Sequence, residues 1–253
     1  MGQQLNVITG QSKEEEAIDF LRENEPPEGY FLGFSGGKDS TVLKHLAVLS
    51  GVKFQAYYSA TGIDPPEVVQ FIKRHHPDVI FCKPPQNFYK LIVKKGFPTK
   101  FHRWCCDSIK KDNTKHIKLT HRLLGMRAEE SSKRAARGRI DRYGRSKKSQ
   151  QVVYKPIFRW LEWEIWDHIG RHKLSYCSLY DEGFDRIGCV VCPFLCREKG
   201  KKLQQHKNRW PKIYAAFERA MYELWEDRAW YTQKAQGRAM LFEEFLDNWY
   251  RGR

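Results

Sequence analysis

No stretch of the 253-residue chain approaches the roughly 18 consecutive apolar residues of a membrane span. The opening MGQQLNVITGQSKEEE lacks the basic start and apolar middle of a secretory signal, and Asn6 breaks a myristoylation pattern. These absences exclude an ordinary membrane-spanning or secreted class and leave the expectation of a cytoplasmic protein without membrane attachment. There is no internal repeat and no low-complexity tract, which argues against a solenoid or a disordered tail. Acidic residues are also in deficit, 30 against 45 Lys and Arg, for a formal charge of +15. No cysteine follows Cys196. The seven that exist are an odd number in a long chain expected to be cytoplasmic, which argues against a disulfide framework.

What is present is unevenly placed. Segment 90–118 holds nine basic and two acidic residues, 133–149 eight and one, and 197–213 seven and one. The rest of the chain is therefore slightly acidic. Positive charge concentrated in three segments points to a polyanionic partner, the alternative being a solvated basic coat.

Helical spacing is expected over 14–22, 40–49, 65–74, 107–118 and 162–169, and strands over 30–34, 52–58, 78–81 and 121–126. Strand, helix, strand, helix, strand is the rhythm of a parallel sheet covered by helices. Beyond residue 212, Ile213, Phe217, Ala220, Met221 and Leu224, then Leu241, Phe242, Phe245 and Trp249, recur at three-to-four spacing and read as packing helices. The expected fold class is therefore α/β, with residues 1–196 as one domain and 197–253 as a basic, aromatic helical extension.

Phe34-Ser35-Gly36-Gly37-Lys38-Asp39-Ser40-Thr41 joins the first strand to a helix. Two glycines allow a sharp turn with backbone N–H groups close to phosphate oxygens, and the helix adds its positive N-terminus. It is not a Walker A loop, because the glycine-to-lysine spacing is one residue short and Asp39 stands where Ser or Thr is required. The string resembles SGGxDS, the PP-loop of the ATP-pyrophosphatase superfamily, with every fixed letter present. That resemblance implies a Rossmann-like, adenine nucleotide alpha hydrolase-like fold. It also implies ATP with Mg2+ held at Ser35, Gly36, Gly37, Lys38, Asp39 and Ser40, with Lys38 and Asp39 as catalytic residues. Attack at the α-phosphorus would release pyrophosphate, whose growing charge such donors stabilise.

Two further segments extend the likeness. Ala60-Thr61-Gly62-Ile63-Asp64-Pro65-Pro66-Glu67 resembles DTGxxxPE of the PAPS-reductase branch, with Ala60 in place of the first Asp. That carboxylate is either lost or moved to Asp64. Gly125-Met126-Arg127-Ala128-Glu129-Glu130-Ser131 resembles the branch's GxRxxES. It implies Arg127 as a catalytic phosphate contact and Gly125 as a close backbone approach to the nucleotide.

Cys189 and Cys192 have the spacing to grip one metal, and the tandem Cys105-Cys106 supplies two more thiolates. A four-thiolate set suits zinc or an iron–sulfur cluster. The surrounding Leu179–Pro193 resembles LYxxGFxRIGCxxCP. In assimilatory APS reductases and DNA phosphorothioation proteins the CC…CxxC set binds a [4Fe–4S] cluster, so the resemblance implies that cofactor, with Zn2+ the alternative. Cys82, Cys177 and Cys196 fall outside the set, and Cys196 is either a nearby sulfur carrier or a buried inert thiol.

Sulfonucleotide reductases finish with a C-terminal cysteine, and none follows Cys196 here. The pattern is most similar to the ATP-pyrophosphatase subunit of DNA phosphorothioation systems of Dnd or Ssp type. The expectation is an ATP-dependent sulfurtransferase acting on nucleic acid, DNA rather than tRNA. Sulfur would come from a cysteine desulfurase through the cluster or a protein thiol. Arg137, Arg139, Arg142 and Arg145 would meet the phosphate backbone. The competing expectations are an APS or PAPS reductase, a tRNA thiolase, and a non-enzymatic, nucleotide-responsive DNA-binding regulator.

Overall fold

Tyr30–Gly33 is an almost wholly buried four-residue strand, β1, and the sheet is built outward from it. The computed structural model describes residues 10–143, 151–196, 201–236 and 241–251. β1 pairs in parallel with β2 (Phe54–Ser59) on one side and β4 (His121–Leu124) on the other. β6 (Gln151–Tyr154) follows β4 in parallel, and β5 (Ile140–Tyr143) runs antiparallel to β6 at the edge. With β3 (Ile80–Cys82) beyond β2, the order is β3-β2-β1-β4-β6-β5. The register sets Ala56, Leu32, Leu123 and Tyr154 in one row across four strands, and all four are buried. At about 1.5–3 kcal/mol for a large apolar side chain taken from water, that row is a main source of the sheet's stability.

The helices follow from caps and apolar stripes. α1 (Lys13–Glu23) opens on Ser12, whose hydroxyl accepts from Glu15 N–H while Glu15 reaches back to the Ser12 backbone. Such a capping box contributes about 1 kcal/mol. α2 (Lys38–Ser50) buries Val42, Leu43, Leu46 and Ala47 and stops at Gly51, whose φ of 73° is left-handed. α3 (Pro66–His75) buries Val68, Phe71 and Ile72. α6 (Glu162–Arg171) buries Ile165, His168 and Ile169.

These observations give the expected α/β class: a mostly parallel six-stranded sheet with helices at the C-terminus. Two expectations need correction, and one helix falls where none was expected. The helix expected over 107–118 is instead a π turn at Cys106–Lys111 and a 3-10 turn at Asp112–Thr114. The Asn113 amide donates to the carbonyls of Ala60 and Cys82, at 2.9 and 3.1 Å, and these side-chain bonds compete with helix propagation. The basic stretch 133–149 is not one loop, because it contains the short helix α5 (Ser132–Ala135) and β5. α4 (Phe88–Lys95), capped by the Asn87 side chain, was not legible in the sequence pattern.

The chain divides into two units assembled from interleaved segments, Met1–Tyr58 with Glu67–Phe81 and Ile117–Ile187, and Ser59–Pro66 with Cys82–His116 and Gly188–Arg253. The first contains the sheet. The second contains α4, the tandem cysteines, the CxxC, and the helices α7 (Lys201–Arg209), α8 (Pro211–Gln236) and α9 (Phe242–Tyr250). Its core forms around Trp249, whose ring lies 4.5 Å from that of Phe217 and whose indole N–H donates to the Pro98 carbonyl at 2.9 Å. The three-to-four spacing beyond residue 212 is a packing stripe at Phe217, Ala220, Met221, Leu224 and Trp249, all buried, but Leu241, expected to pack with them, is exposed ahead of the first turn of α9.

Candidate nucleotide site and thiol cluster

Strand order reverses between β1 and β4, and open α/β sheets bind ligands at the carboxyl ends of strands at such a switch point. The glycine turn leaves β1 there, and Gly125 to Arg127 leaves β4. Gly36 has φ +74°, and a Cβ on it would come within 2.9 Å of Val68 Cγ1, so only glycine fits. Gly37 caps α2 with no side chain. Ser40 is buried and ties the loop shut: its hydroxyl donates to the Gly37 carbonyl at 2.8 Å and accepts from Ser35 N–H at 3.2 Å. Ser35 stays exposed. The first-turn N–H groups of a helix have no partner within it, so this end of α2 suits an anion.

Gly125 makes a close approach, but to protein: a Cβ there would lie 3.0 Å from the Asp39 carbonyl oxygen. β4 and the first turn of α2 thus meet backbone to backbone. Just beyond, Arg127 is 4% exposed. Its Nε donates to Asp39 Oδ1 at 2.5 Å, and Nη1 pairs with Glu129. Burial alone would lower the Arg127 pKa, but these two carboxylates outweigh it and hold the pKa above the usual value.

Lys38 is buried too, and its ammonium has close partners. Nζ donates to the Asp185 carbonyl at 2.9 Å, pairs with Glu162 at 3.1 Å, and lies 5.1 Å from the centre of the Tyr180 ring. The Tyr180 hydroxyl accepts the Lys38 backbone N–H at 2.9 Å, occupying one of the helix-end donors. Tyr180 and Glu162 were not singled out from sequence. Tyr180 lies inside the segment noted for its cysteines, and an aromatic hydroxyl there carries no positional signal of its own.

The second unit holds the sulfur chemistry. Cys105, Cys106, Cys189 and Cys192 are all free and all partly buried. Each lies near enough to feel the others' charge. The hydrogen bond from the Cys105 thiol, with the cations of Lys110 and Arg103, outweighs burial and brings Cys106 down to about 6. That same hydrogen bond and burial push Cys105 up. Burial raises Cys192 to about 11. Cys189 first, then the Asp64 carboxylate and Cys106, outweigh burial and raise the pKa of Lys110. No three of the four sulfurs lie within 4.8 Å of one another among the described residues.

The loop after β2 is tied to this set. Val190 N–H donates to the Ile63 carbonyl at 2.8 Å, and Cys189 Sγ is 3.8 Å from the Thr61 hydroxyl. Asp64 accepts Thr61 N–H at 2.6 Å and so serves as a clasp of the loop. Cys196 is buried, its thiol donating to the Trp249 carbonyl at 3.4 Å, and burial raises its pKa.

The arginines of 133–149 divide. Arg139 Nη1 pairs with Glu16 at 2.6 Å, and the guanidinium lies 3.9 Å from the Phe20 ring centre, so it is part of the scaffold. Arg137 and Arg142 are exposed. Arg145 lies outside the described residues, as do 197–200 of the third basic segment and Asn6 near the start.

The model of the phosphoadenosine phosphosulfate reductase domain family matches residues 29–195. The chain belongs to that family. As a PAPS reductase-like domain of the PP-loop superfamily, it is 31% identical over 225 residues to the uncharacterized protein MJ0066 of Methanocaldococcus jannaschii, covering 84% of this chain but 46% of that protein. It is also 30% identical over 187 residues to the probable FAD synthase of Schizosaccharomyces pombe, covering 68% of this chain and 63% of the relative. The chain thus spans between about half and two thirds of these relatives. Among solved structures, the PAPS reductase of Candida auris matches the fold with a TM-score of 0.52 at 16% identity, over 72% of this chain and 90% of that one. Among the described residues of this family member, no helix is long and apolar enough to cross a membrane.

Proposed function

We propose that the protein is an ATP pyrophosphatase that activates a nucleic-acid phosphate for sulfur insertion, with DNA as the acceptor. The observation that carries this reading is the coexistence, in one chain, of the SGGKDS loop at the switch point and a four-thiol set beside Lys110. A non-bridging phosphate oxygen of the acceptor attacks the α-phosphorus of Mg2+-bound ATP. The bond from that phosphorus to the bridging oxygen breaks, and pyrophosphate leaves. Ser35, the α2 N-terminus and Arg127 stabilise the leaving charge. Sulfur at the oxidation level of hydrosulfide then attacks the adenylylated phosphorus, and AMP leaves with the bonding pair. A cysteine desulfurase with a thiol reductant is the class of donor that supplies such sulfur.

Cys105, Cys106, Cys189 and Cys192 would hold a [4Fe–4S] cluster, one thiolate to each iron, and the cluster would supply redox and electrostatic support for sulfur transfer. Cys196, buried under Trp249, lacks the exposure a terminal redox nucleophile needs, which weighs against reductase chemistry. The decisive experiment quantifies iron and then measures AMP and pyrophosphate from ATP with DNA, tRNA, FMN or no acceptor, sulfur donor present. DNA-dependent release supports the reading. Release only with FMN would reassign the chain to flavin adenylylation, as the name of the yeast relative suggests. Release only with tRNA would move it to base thiolation, and no release at all leaves a binding protein.

A further inference from the structure

Three imidazoles meet between α2 and α6. One nitrogen of each of His45, His168 and His172 lies within 4.8 Å of the others, the one such group of three among the described residues. His45 is seven residues along α2 from Lys38, about 10 Å of helix, so the group is separate from the phosphate loop. His45 Nδ1 and His168 Nε2 are 2.9 Å apart. The ring centres of His168 and His172 are 4.4 Å apart, and those of His45 and His172 are 4.7 Å apart.

Glu14, in the first turn of α1, stands behind two of the rings. Its Oε2 is 3.1 Å from His172 Nε2 and 3.2 Å from His168 Nδ1. That second nitrogen is wholly buried and is not aligned for a hydrogen bond. His168 Nδ1 is therefore a buried nitrogen without a satisfied hydrogen bond, while Nε2 is bonded to His45 Nδ1, a contact that a metal ion between the two rings would replace.

We propose that His45, His168 and His172 form a binding site for a divalent transition metal of the zinc class, with Glu14 as the carboxylate orienting His168 and His172. Three imidazoles with an open fourth position is a recurrent zinc arrangement, and a carboxylate behind the ligating ring is its usual support. Zn–N bonds of about 2.05 Å in a tetrahedron place nitrogens about 3.3 Å apart. His45 and His168 need only move apart by about 0.4 Å. Arg171, a cation beside the group, is paired with Glu14 at 3.1 Å and Asp167 at 2.7 Å. His172, partly exposed, marks the solvent side where a fourth ligand enters. The bound ion would pin α1, α2 and α6 together. The inference does not depend on the function proposed above.

The test uses the full-length protein and Zn2+ or Co2+ as probes. Wild type should retain one more equivalent of zinc per chain than His172→Ala, and zinc should raise the melting temperature of wild type alone. The Co2+ difference spectrum between the two should show d–d bands without thiolate charge transfer, which separates this site from the four cysteines. Glu14→Gln should weaken affinity about 10- to 100-fold. Should His172→Ala not fold, His45→Gln gives the same comparison from α2, and zinc-edge X-ray absorption of wild type decides alone. Equal zinc in wild type and variants, or a shell made only of sulfur, would overturn the proposal.

Discussion

Arg127 Nε lies 2.5 Å from Asp39 Oδ1, so the cation expected to hold phosphate is closed onto the one carboxylate of the glycine turn. The pair joins the end of β4 to the first turn of α2, and Gly125 lets the two backbones touch beside it. Asp39→Asn leaves a guanidinium that is 4% exposed with Glu129 as its remaining anion. A loss of about 1–3 kcal/mol is expected, seen as a lower urea midpoint with an unchanged slope. Pyrophosphate release should fall at least about tenfold. A variant as stable and as active as wild type would show the pair to be incidental.

Tyr180 sits where a phosphate oxygen would accept, its hydroxyl 2.9 Å from the Lys38 nitrogen. Tyr180→Phe removes that competitor. Apo stability should drop by about 1 kcal/mol, while calorimetry should show ATP binding equal to or tighter than in wild type. Weaker ATP binding would mean that the hydroxyl helps shape the occupied loop instead.

The two kinds of arginine in 133–149 separate by experiment. Arg139→Ala breaks the ion pair with Glu16 and uncovers Phe20, so it should lower the melting temperature and leave the salt dependence of DNA binding intact. Arg137→Ala with Arg142→Ala should leave stability alone, weaken DNA binding, and reduce the salt slope by about one for each phosphate no longer neutralised. If DNA affinity tracks Arg139 and ignores the exposed pair, nucleic acid does not meet this face.

His76 gives the chain an acid limit. Burial, then the Lys44 ammonium, depress its pKa from 6.5 to about 4. Lys44 can only donate, so Nδ1 accepts at 3.2 Å, and Nε2 is buried without a partner. Between about 6.5 and 4 the unfolded chain binds more protons than the folded one, so stability falls as pH falls through that window. The contribution is about 1–3 kcal/mol. His76→Gln should flatten the curve of melting temperature against pH there, and an unaltered curve would remove His76 as the cause.

The parallel sheet was legible because buried strands such as Tyr30–Gly33 are continuous apolar runs and the glycine turn marks where the first one ends. The loop residues were legible because SGGKDS is a local string whose chemistry needs no distant partner. What closes on them was not. Tyr180 and Glu162 reach Lys38 across more than 120 positions, and nothing in their own neighbourhoods marks them. β5 was hidden because Ile140–Tyr143 has two charged residues and reads as part of a basic loop, yet it pairs along its whole length with β6. The expected helix over 107–118 failed for the opposite reason. Its local pattern was helical, but the Asn113 side chain is committed to two carbonyls in other segments.

The peptide of Val190 is fastened at both ends. Its N–H is bonded to Ile63, and its carbonyl accepts from His206 at 3.1 Å and from the Tyr214 hydroxyl at 3.2 Å. It also lies between the two cysteines of the CxxC. The backbone of one residue thus serves as a junction where the loop after β2, α7 and α8 are knotted to the CxxC. Loss of whatever those thiols hold should therefore not stay local: amide exchange would quicken in α7 and the start of α8, on helices that contribute no ligand of their own.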